Sequence, residues 1–297
     1  MDGALIVDKP EGWTSHDVVA KVRRLARTKR IGHLGTLDPM ATGVLPLVIG
    51  RATRLAQFFG RDRKVYQGVI RFGHSTDTYD REGKPTSDAV EPTFDRAALD
   101  AAIEPFRGTF QQVPPPVSAK KIAGTPAYKL ARRNEPVVLE PVEVKVHEFD
   151  VLSFDGRCAS VRVECSAGTY LRSIAHDLGR ALGCGAHLET LRRTASGEFR
   201  VESAHPMERL ERFAAEDQFY QAIVPASELL PAFPNELVDP VTAGQIRQGR
   251  DFRVSPFRTR TGIRYVKAVT ADGELIAIGE AKLPNLYHPI LVFQGSE

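Results

Sequence analysis

Strand-like and helix-like segments are intermixed along this chain without the regular alternation of a parallel α/β protein. An alternating apolar pattern at 64–72 predicts a strand, and apolar residues at helical spacing after Thr14 or Ser15 predict an amphipathic helix. Further segments follow in the same irregular order: strands at about 142–154, 158–165, 186–194 and 198–201, and a helix at about 169–182. This order favours an α+β fold with a mixed, mainly antiparallel central sheet.

Three further local patterns predict helices. Residues 51–59 and the polar segment 205–230 are expected to be helical, and Thr93 is expected to cap a helix that ends near Ile103.

The length of 297 residues exceeds the size at which a single hydrophobic core usually stops growing. Pro231, Pro234 and Pro240 mark a linker, and one short helix with strands at 263–270, 274–281 and 287–293 is predicted after it. We therefore expect a large domain at 1–230 and a small β-rich domain at 231–297.

Several protein classes have no support in the sequence. The N-terminus lacks the basic and apolar regions of a secretory signal, and no apolar run approaches the ~20 residues that span a bilayer, so we expect a cytoplasmic protein. Cys158, Cys165 and Cys184 form no CxxC pair, which favours buried thiols over metal ligands. No metal-ligand spacing stands out among the eight histidines, and dinucleotide, Walker and serine-hydrolase motifs are lacking.

Positive charge is concentrated in two parts of the chain, although the net charge is only +3. The two clusters are Arg23, Arg24, Arg27, Lys29 and Arg30, and Lys120, Lys121, Lys129, Arg132 and Arg133. Either cluster could be an ordinary solvated face. The second cluster follows the run Val113-Pro114-Pro115-Pro116-Val117, which disfavours regular structure, so we expect a projecting insertion at about 113–134 that could grip a polyanion.

Asp38 lies in a segment with glycines at both ends and no periodicity, between predicted strands and helices. The segment, residues 32–43, is therefore expected to be a loop. Aspartate followed by proline is also typical of a helix N-terminus, with Asp38 as the cap and Pro39 in the first turn. Residue chemistry by itself leaves both interpretations open.

Five separated motifs, in order over roughly residues 4–200, resemble the bacterial TruB-type tRNA pseudouridine synthases. The segment from Gly32 to Leu45 resembles the catalytic segment of that family, with Leu34 where threonine is usual. The other motifs are Asp8-Lys9-Pro10 with Gly12 and Thr14-Ser15, Lys64-Val65-Tyr66, Ser118-Ala119 through Arg132, and Gly168-Thr169-Tyr170-Leu171-Arg172-Ser173-Ile174 with the following Gly183 to Arg193.

The resemblance implies the pseudouridine synthase fold and isomerisation of uridine 55 in the T-loop of tRNA, a reaction that requires neither a redox cofactor nor a metal. It implies that Asp38 is the catalytic carboxylate, as nucleophile or as the group that stabilises and deprotonates intermediates. Tyr66 would stack on the target base, and its hydroxyl could serve as a base. Arg172 would favour the charged form of Asp38. Without the resemblance, Tyr66 would be core and Arg172 part of an ordinary ion pair.

The resemblance also assigns residues that bind substrate. Leu191 would form an apolar wall of the uracil pocket, and His33 would stack within the opened T-loop once the base is flipped out. Lys9 and Tyr170 would support the site, although Lys9 could equally be a solvated lysine beside a turn. The RNA-backbone candidates are Lys120, Lys121, Lys129 and Arg132.

The expected partner is the T-arm and elbow of tRNA, bound by a monomer without guide RNA, an obligate protein partner or a membrane. Residues 231–297 occupy the place of a PUA-like RNA-binding domain. Two alternatives stay open at this point: a non-catalytic tRNA-binding and tRNA-folding protein, and a carboxylate-dependent nucleosidase or glycosidase. The second usually requires paired carboxylates, and no second acid shares the Asp38 motif.

Overall fold

The computed structural model describes residues 1–60, 62–117, 139–255 and 262–293, and the backbone of 121–122 and 125–126. The candidate residues Lys120, Lys129 and Arg132 lie outside the described residues, as does the side chain of Lys121. Within the described part, no helix is long and apolar enough to cross a membrane.

Five α-helices lie in the described residues, and the first carries the expected N-terminal cap. Thr14 accepts a hydrogen bond from the backbone N–H of Asp17, and the Asp17 carboxylate accepts one from the Thr14 backbone, which makes a capping box. The second helix is capped by Asp95, not by Thr93 as predicted, because the Asp95 side chain accepts from Ala98 N. The helices are α1 Ser15–Leu25, α2 Arg96–Ile103, α3 Leu171–Ala181, α4 Met207–Ala215 and α5 Pro240–Arg247.

The described residues form seventeen strands of two to thirteen residues, and most of them pair with antiparallel neighbours. They are β1 Gly3–Lys9, β2 Ile31–His33, β3 Thr42–Ile49, β4 Lys64–Phe72, β5 Gly108–Gln112, β6 Lys121–Ile122, β7 Thr125–Pro126, β8 Val142–Phe154, β9 Cys158–Cys165, β10 Ala186–Ser196, β11 Phe199–Arg200, β12 Ile223–Pro225, β13 Asn235–Leu237, β14 Phe252–Arg253, β15 Tyr265–Val269, β16 Leu275–Leu283 and β17 Leu286–Val292.

A large sheet runs in the order β12-β1-β3-β10-β4-β9-β8-β5, with β2 on β3 and β11 on β10. Its only parallel pairing among the described strands joins β10 to β3, where Arg192 and Arg193 lie beside Thr42 and Gly43. A second sheet has the order β13-β15-β16-β17-β14. The predicted α+β fold with a mixed, mainly antiparallel sheet is therefore confirmed.

Three local predictions differ from the structure. Residues 34–41, including the Asp38-Pro39 pair, contain no helix, so the helix-cap interpretation of Asp38 is wrong. The predicted helix at 51–59 is a 3₁₀ helix over Gly50–Phe58. In the segment 205–230 only α4 is α-helical. Residues 223–225 of this segment form β12, which pairs with the start of β1. Without that pairing, the edge of the sheet would leave backbone groups of Gly3 and Leu5 unpaired.

Two separate hydrophobic cores pack on the large sheet. The first is formed with α1, α2, α3 and α4, and the second joins β1, β3 and β11 to residues of the C-terminal module such as Ile278 and Phe293. Buried Lys267 fastens that module, because its Nζ donates to the carbonyls of Ser227 at 2.8 Å and Leu229 at 2.6 Å. Strands β1 and β3 therefore have a core on both faces, and the loop that carries Asp38 lies at the start of β3.

Candidate active site

The loop between β2 and β3, residues 34–41, carries Asp38 and is held through its backbone. The hydroxyl of buried Ser15 accepts from Leu37 N at 2.9 Å and donates to Leu37 O at 3.1 Å. On the other side of Asp38, Gly12 N donates to Pro39 O at 2.9 Å. Both neighbours of Asp38 are therefore fixed by the segment that precedes α1, which limits how far the carboxylate can move.

Lys9 is fully buried beneath this loop. Its Nζ donates to three backbone carbonyls, those of Pro10 at 2.8 Å, Trp13 at 2.6 Å and Pro39 at 3.1 Å. Burial lowers the pKa of Lys9 to about 8, and the nearby Asp38 carboxylate opposes the shift. The interpretation of Lys9 as a solvated lysine is wrong, since its ammonium is the hub that joins the first motif to the Asp38 loop.

We expect Lys9→Met to lower the free energy of unfolding by about 2–4 kcal/mol, because three carbonyls lose their donor. The removal of a buried charge offsets part of that loss. Chemical denaturation measures this change. The matched control is Lys21→Met on α1, whose partly exposed ammonium pairs with Glu211. That control should change stability by less than about 1 kcal/mol. An equal loss in the two variants would contradict the role of Lys9 as a hub.

Arg193 holds the other end of the loop, and it was not among the predicted site residues. Its buried guanidinium donates to Val44 O at 2.7 Å, Gly35 O at 3.0 Å and Thr36 O at 3.4 Å. Gly35 has a φ of +117°, which favours glycine. The parallel pairing of β10 with β3 places Arg193 beside Gly43, and this contact between distant segments could not be read from the sequence.

Asp38 pairs with Arg172 from the first turn of α3. Nη2 of Arg172 donates to Oδ1 of Asp38 at 3.0 Å, and Nε lies 2.8 Å from Oδ2 at an angle that does not make a hydrogen bond. The arginine side chain is 4% exposed and the Asp38 side chain 35% exposed. One partner is thus held inside the protein while the other reaches an open cavity, unlike an ordinary surface ion pair.

Arg172 is itself fixed by groups that sequence analysis did not single out. Nη1 donates to Thr78 O at 2.9 Å and lies 3.5 Å from the buried Asp80 carboxylate, and Nη2 donates to Val117 O at 3.0 Å. Thr78 also donates from its hydroxyl to Asp80 at 2.6 Å. The irregular segment 74–92 therefore supports the arginine.

A cavity of about 220 Å³ is lined by Asp38 and Arg172 and by the two further cations Lys64 and Arg193. Tyr66, Tyr170 and Leu191 contribute to its walls. Tyr66 is 9% exposed, and burial raises the pKa of its hydroxyl. Pockets for drug-sized ligands span about 300–1,000 Å³, so this cavity suits a single small ring better than a larger ligand.

Comparisons with known proteins decide the family. Residues 23–171 match the TruB family pseudouridylate synthase N-terminal domain, and residues 172–231 match the tRNA pseudouridylate synthase B C-terminal domain. The chain belongs to the TruB family of pseudouridine synthases.

Relatives of the TruB family match this chain along nearly its whole length. It is 62% identical to tRNA pseudouridine synthase B of Solibacter usitatus over 98% of this chain and 100% of that protein. The corresponding protein of Thermobifida fusca is 45% identical over 99% of each chain. A solved structure of an H/ACA RNP bound to a substrate RNA containing 2′-deoxyuridine contains a chain with a TM-score of 0.73 and 27% identity, over 99% of this chain and 85% of that one.

The structure of this TruB-family chain brings six of the seven predicted catalytic and substrate-binding residues to one place. Asp38, Tyr66, Tyr170, Arg172 and Leu191 line the cavity, and Lys9 lies directly behind the Asp38 loop. His33 ends β2, is exposed and does not line the cavity. A ligand that enters the cavity and extends beyond it can therefore contact His33 at the surface.

The start of the predicted insertion is anchored on α3. Gln112 exchanges two hydrogen bonds with the backbone of Tyr170, at 3.0 Å and 2.8 Å, and Val113 O accepts from the Ser173 hydroxyl at 2.8 Å. With the bond from Arg172 to Val117 O, these contacts link residues 112–117 to the helix that carries Arg172.

The basic face predicted on α1 is partly neutralised in the fold. Lys21 pairs with Glu211 of α4, and Arg27 lies 4.0 Å from Asp217. Arg23 donates to Ile31 O at 3.0 Å. Arg24, Lys29 and Arg30 are exposed, so the positive surface at this end of the molecule is smaller than the sequence cluster suggests.

Proposed function

We propose that this TruB-family enzyme converts uridine 55 in the T-loop of tRNA to pseudouridine, with Asp38 as the catalytic carboxylate. The observation that carries the proposal is the Asp38–Arg172 pair at the mouth of a cavity of about 220 Å³. One carboxylate oxygen accepts a hydrogen bond from a rigid, buried guanidinium, so its orientation toward a base in the cavity is set before substrate binds. The names of the relatives, tRNA pseudouridine synthase B, support tRNA as the substrate.

The proposed reaction breaks the bond between C1′ of the ribose and N1 of uracil, turns the ring within the cavity and joins C5 to C1′. The proton on C5 is removed and N1 gains a proton, so the product is an isomer of the substrate. No electrons leave the substrate, and the chemistry therefore needs no redox cofactor. Asp38 acts either as the nucleophile toward the sugar or base, or as the base that deprotonates an intermediate.

Other cavity residues take supporting roles in this proposal. Tyr66 stacks on the uracil ring, and its buried hydroxyl stays protonated near neutral pH because burial raises its pKa. Leu191 closes the apolar side of the pocket, while Arg172 orients Asp38. Lys9 and Tyr170 hold the loop and the start of α3 that carry these two groups.

Uracil reaches such a cavity only if the nucleotide leaves the stack of the T-loop, which costs a few kcal/mol. Exposed His33 lies on the chain just before the Asp38 loop, and we propose that it stacks in the gap that the flipped base leaves. Lys120, Lys121, Lys129 and Arg132 of the insertion at about 113–134 contact phosphates in this proposal, which predicts a marked salt dependence of binding.

We further propose a catalytic domain at 1–230 and a PUA-like RNA-binding domain at 231–297, which act together as a monomer without guide RNA or an obligate protein partner. The five-stranded sheet of the C-terminal module and its attachment through Lys267 support a fixed second RNA-binding surface. Because tRNA is modified where it is made, a bacterial enzyme of this kind would work in the cytoplasm.

The experiment incubates purified protein with an unmodified elongator tRNA transcript and maps pseudouridine nucleotide by nucleotide. We expect product at the T-loop uridine and none in a matched transcript with cytidine at that position. Product at another uridine would contradict the proposed position. Tight binding of the transcript without any product would instead support the non-catalytic tRNA-folding alternative.

A further inference from the structure

The cavity contains two buried cations that the roles above do not use. Lys64, at the start of β4, is 6% exposed and Arg193, on β10, is 1% exposed, and both line the cavity. They converge beneath Gly35: a Cβ at that position would lie 3.6 Å from Nη1 of Arg193 and 3.9 Å from Cε of Lys64. The part of the cavity wall that these two side chains form is therefore positively charged.

No carboxylate of the described residues lies within 4.0 Å of either cation. Arg193 donates to three backbone carbonyls, which fixes its guanidinium in place. Nζ of Lys64 donates to the hydroxyl of Ser196 at 2.7 Å, and this is one of the three protons that an ammonium can donate. A buried cation without a charged partner is costly for folding, so a charge that arrives with the substrate would stabilise it.

We propose that the Lys64 ammonium binds the uracil ring while the ring is detached from the ribose and offsets the negative charge that the ring then carries. This inference rests on the proposed function. When the C1′–N1 bond breaks, its electron pair stays with uracil, and the anion is spread over N1 and the two carbonyl oxygens. C1′ carries the matching electron deficiency until C5 bonds to it. In that step the ring returns a pair to the new bond and becomes neutral. The loss of the C5 proton and the gain of a proton at N1 then restore the conjugated ring without a change in net charge.

A lysine suits this task because the detached ring must rotate between bond breaking and bond making. An ammonium is a compact charge with rotatable donors, so it can follow an oxygen that moves, whereas a guanidinium is a rigid fork. Arg193 acts as a positioning residue: it holds the Asp38 loop and adds positive potential to the same wall. Fixed charge of this kind stabilises an anion strongly in a cavity that excludes water.

The pH dependence of the rate tests the role of the Lys64 charge in the wild-type protein, without replacing the side chain. Burial and the neighbouring Arg193 lower the pKa of Lys64 to about 8, and Asp62 and Cys165 oppose the shift. Burial raises the pKa of Cys165 to about 12, and it raises the pKa values of Tyr66 and Asp62 as well. The wild-type rate of the chemical step should therefore fall as the pH rises through about 8, because the Lys64 ammonium is lost. Lys9 behind the Asp38 loop has a pKa of about 8 as well, so only the part of the decline that a Lys64 variant removes reports on Lys64.

The experiment compares Lys64→Met, Lys64→Arg and wild type in single-turnover assays on the tRNA transcript from pH 6 to 10. We expect Lys64→Met to lower the rate about 10²–10³-fold, as the loss of a charge-stabilising donor does elsewhere, with the tRNA Kd changed less than about threefold. Lys64→Arg should keep part of the rate and show a weaker decline above pH 8 than wild type. Lys267→Met, which removes a second buried lysine that does not line the cavity, is the control for the effect on stability.

A wild-type rate in Lys64→Met would overturn the inference while the proposed function stands. A loss of rate that is matched by an equal loss of tRNA affinity would assign Lys64 to RNA binding and would also overturn it. If wild type itself forms no pseudouridine, the proposed function and the inference fail together.

Discussion

Asp38→Asn should abolish pseudouridine formation, with the single-turnover rate lowered by at least about 10⁴-fold. The amide can still accept the hydrogen bond that Nη2 of Arg172 donates at 3.0 Å, so the loop should keep its shape. What disappears is the negative charge and the nucleophilic or basic oxygen at the cavity. Site-mapped pseudouridine from a T-loop uridine measures the effect, and tRNA affinity by filter binding should stay within about threefold of wild type.

Asp80→Asn is the matched control for this prediction. Asp80 is the other carboxylate beside Arg172, 3.5 Å from Nη1, but it does not line the cavity. Its substitution should lower the rate by about tenfold or less, through a less well-held arginine. Similar losses in the two variants would mean that the arginine, and not Asp38, carries the chemistry. Full activity of Asp38→Asn would remove Asp38 from the reaction.

Arg172→Met should impair both folding and catalysis. The substitution leaves the buried Asp80 carboxylate without its charged partner and the carbonyls of Thr78 and Val117 without their donor, which should cost about 3–5 kcal/mol of unfolding free energy. Asp38 adds less to this cost, because its side chain is 35% exposed and can be hydrated. The free carboxylate should also lose its orientation, with a rate loss of at least about 10²-fold.

Two further variants separate the structural effect from the catalytic one. Arg172→Lys keeps the charge but not the fork that reaches both carboxylates and both carbonyls, so it should recover stability more fully than rate. The control is Arg180→Met, on the outer face of the same helix. Arg180 is 77% exposed and pairs with Asp177. This variant should change the free energy of unfolding by less than about 0.5 kcal/mol. A stable Arg172→Met protein with wild-type rate would contradict both roles of the buried arginine.

Elements with a strong local pattern were predicted closely from the sequence. The alternating apolar residues of β4 and the capped amphipathic pattern of α1 lie where expected, because burial on one face of a strand or helix leaves a period that any window of sequence shows. Predictions that depended on partners elsewhere in the chain did less well. The segment 223–225 has no strong strand pattern, and it forms β12 because the edge of β1 lies next to it.

The candidate site shows the same contrast between local sequence patterns and contacts with distant segments. Motif order along the chain indicated Asp38, Tyr66, Arg172, Tyr170 and Leu191, and these residues do line one cavity. The supporting residues Thr78, Asp80 and Arg193 were missed, since each acts through a contact with a segment far away in sequence. Lys9 shows the same limit: its match to a motif was visible, but burial and three carbonyl partners were not.

The sequence by itself determined the family, the α+β class and which carboxylate is the catalytic candidate, because these depend on residue types at fixed spacings. Only the tertiary structure decided that Asp38 is paired with a buried guanidinium and shares a cavity with buried Lys64 and Arg193. Desolvation and the distance between charges set how such groups behave, and both depend on which distant segments pack together. The pairing of β10 with β3 brings Arg193 to the Asp38 loop, and no local pattern encodes that contact.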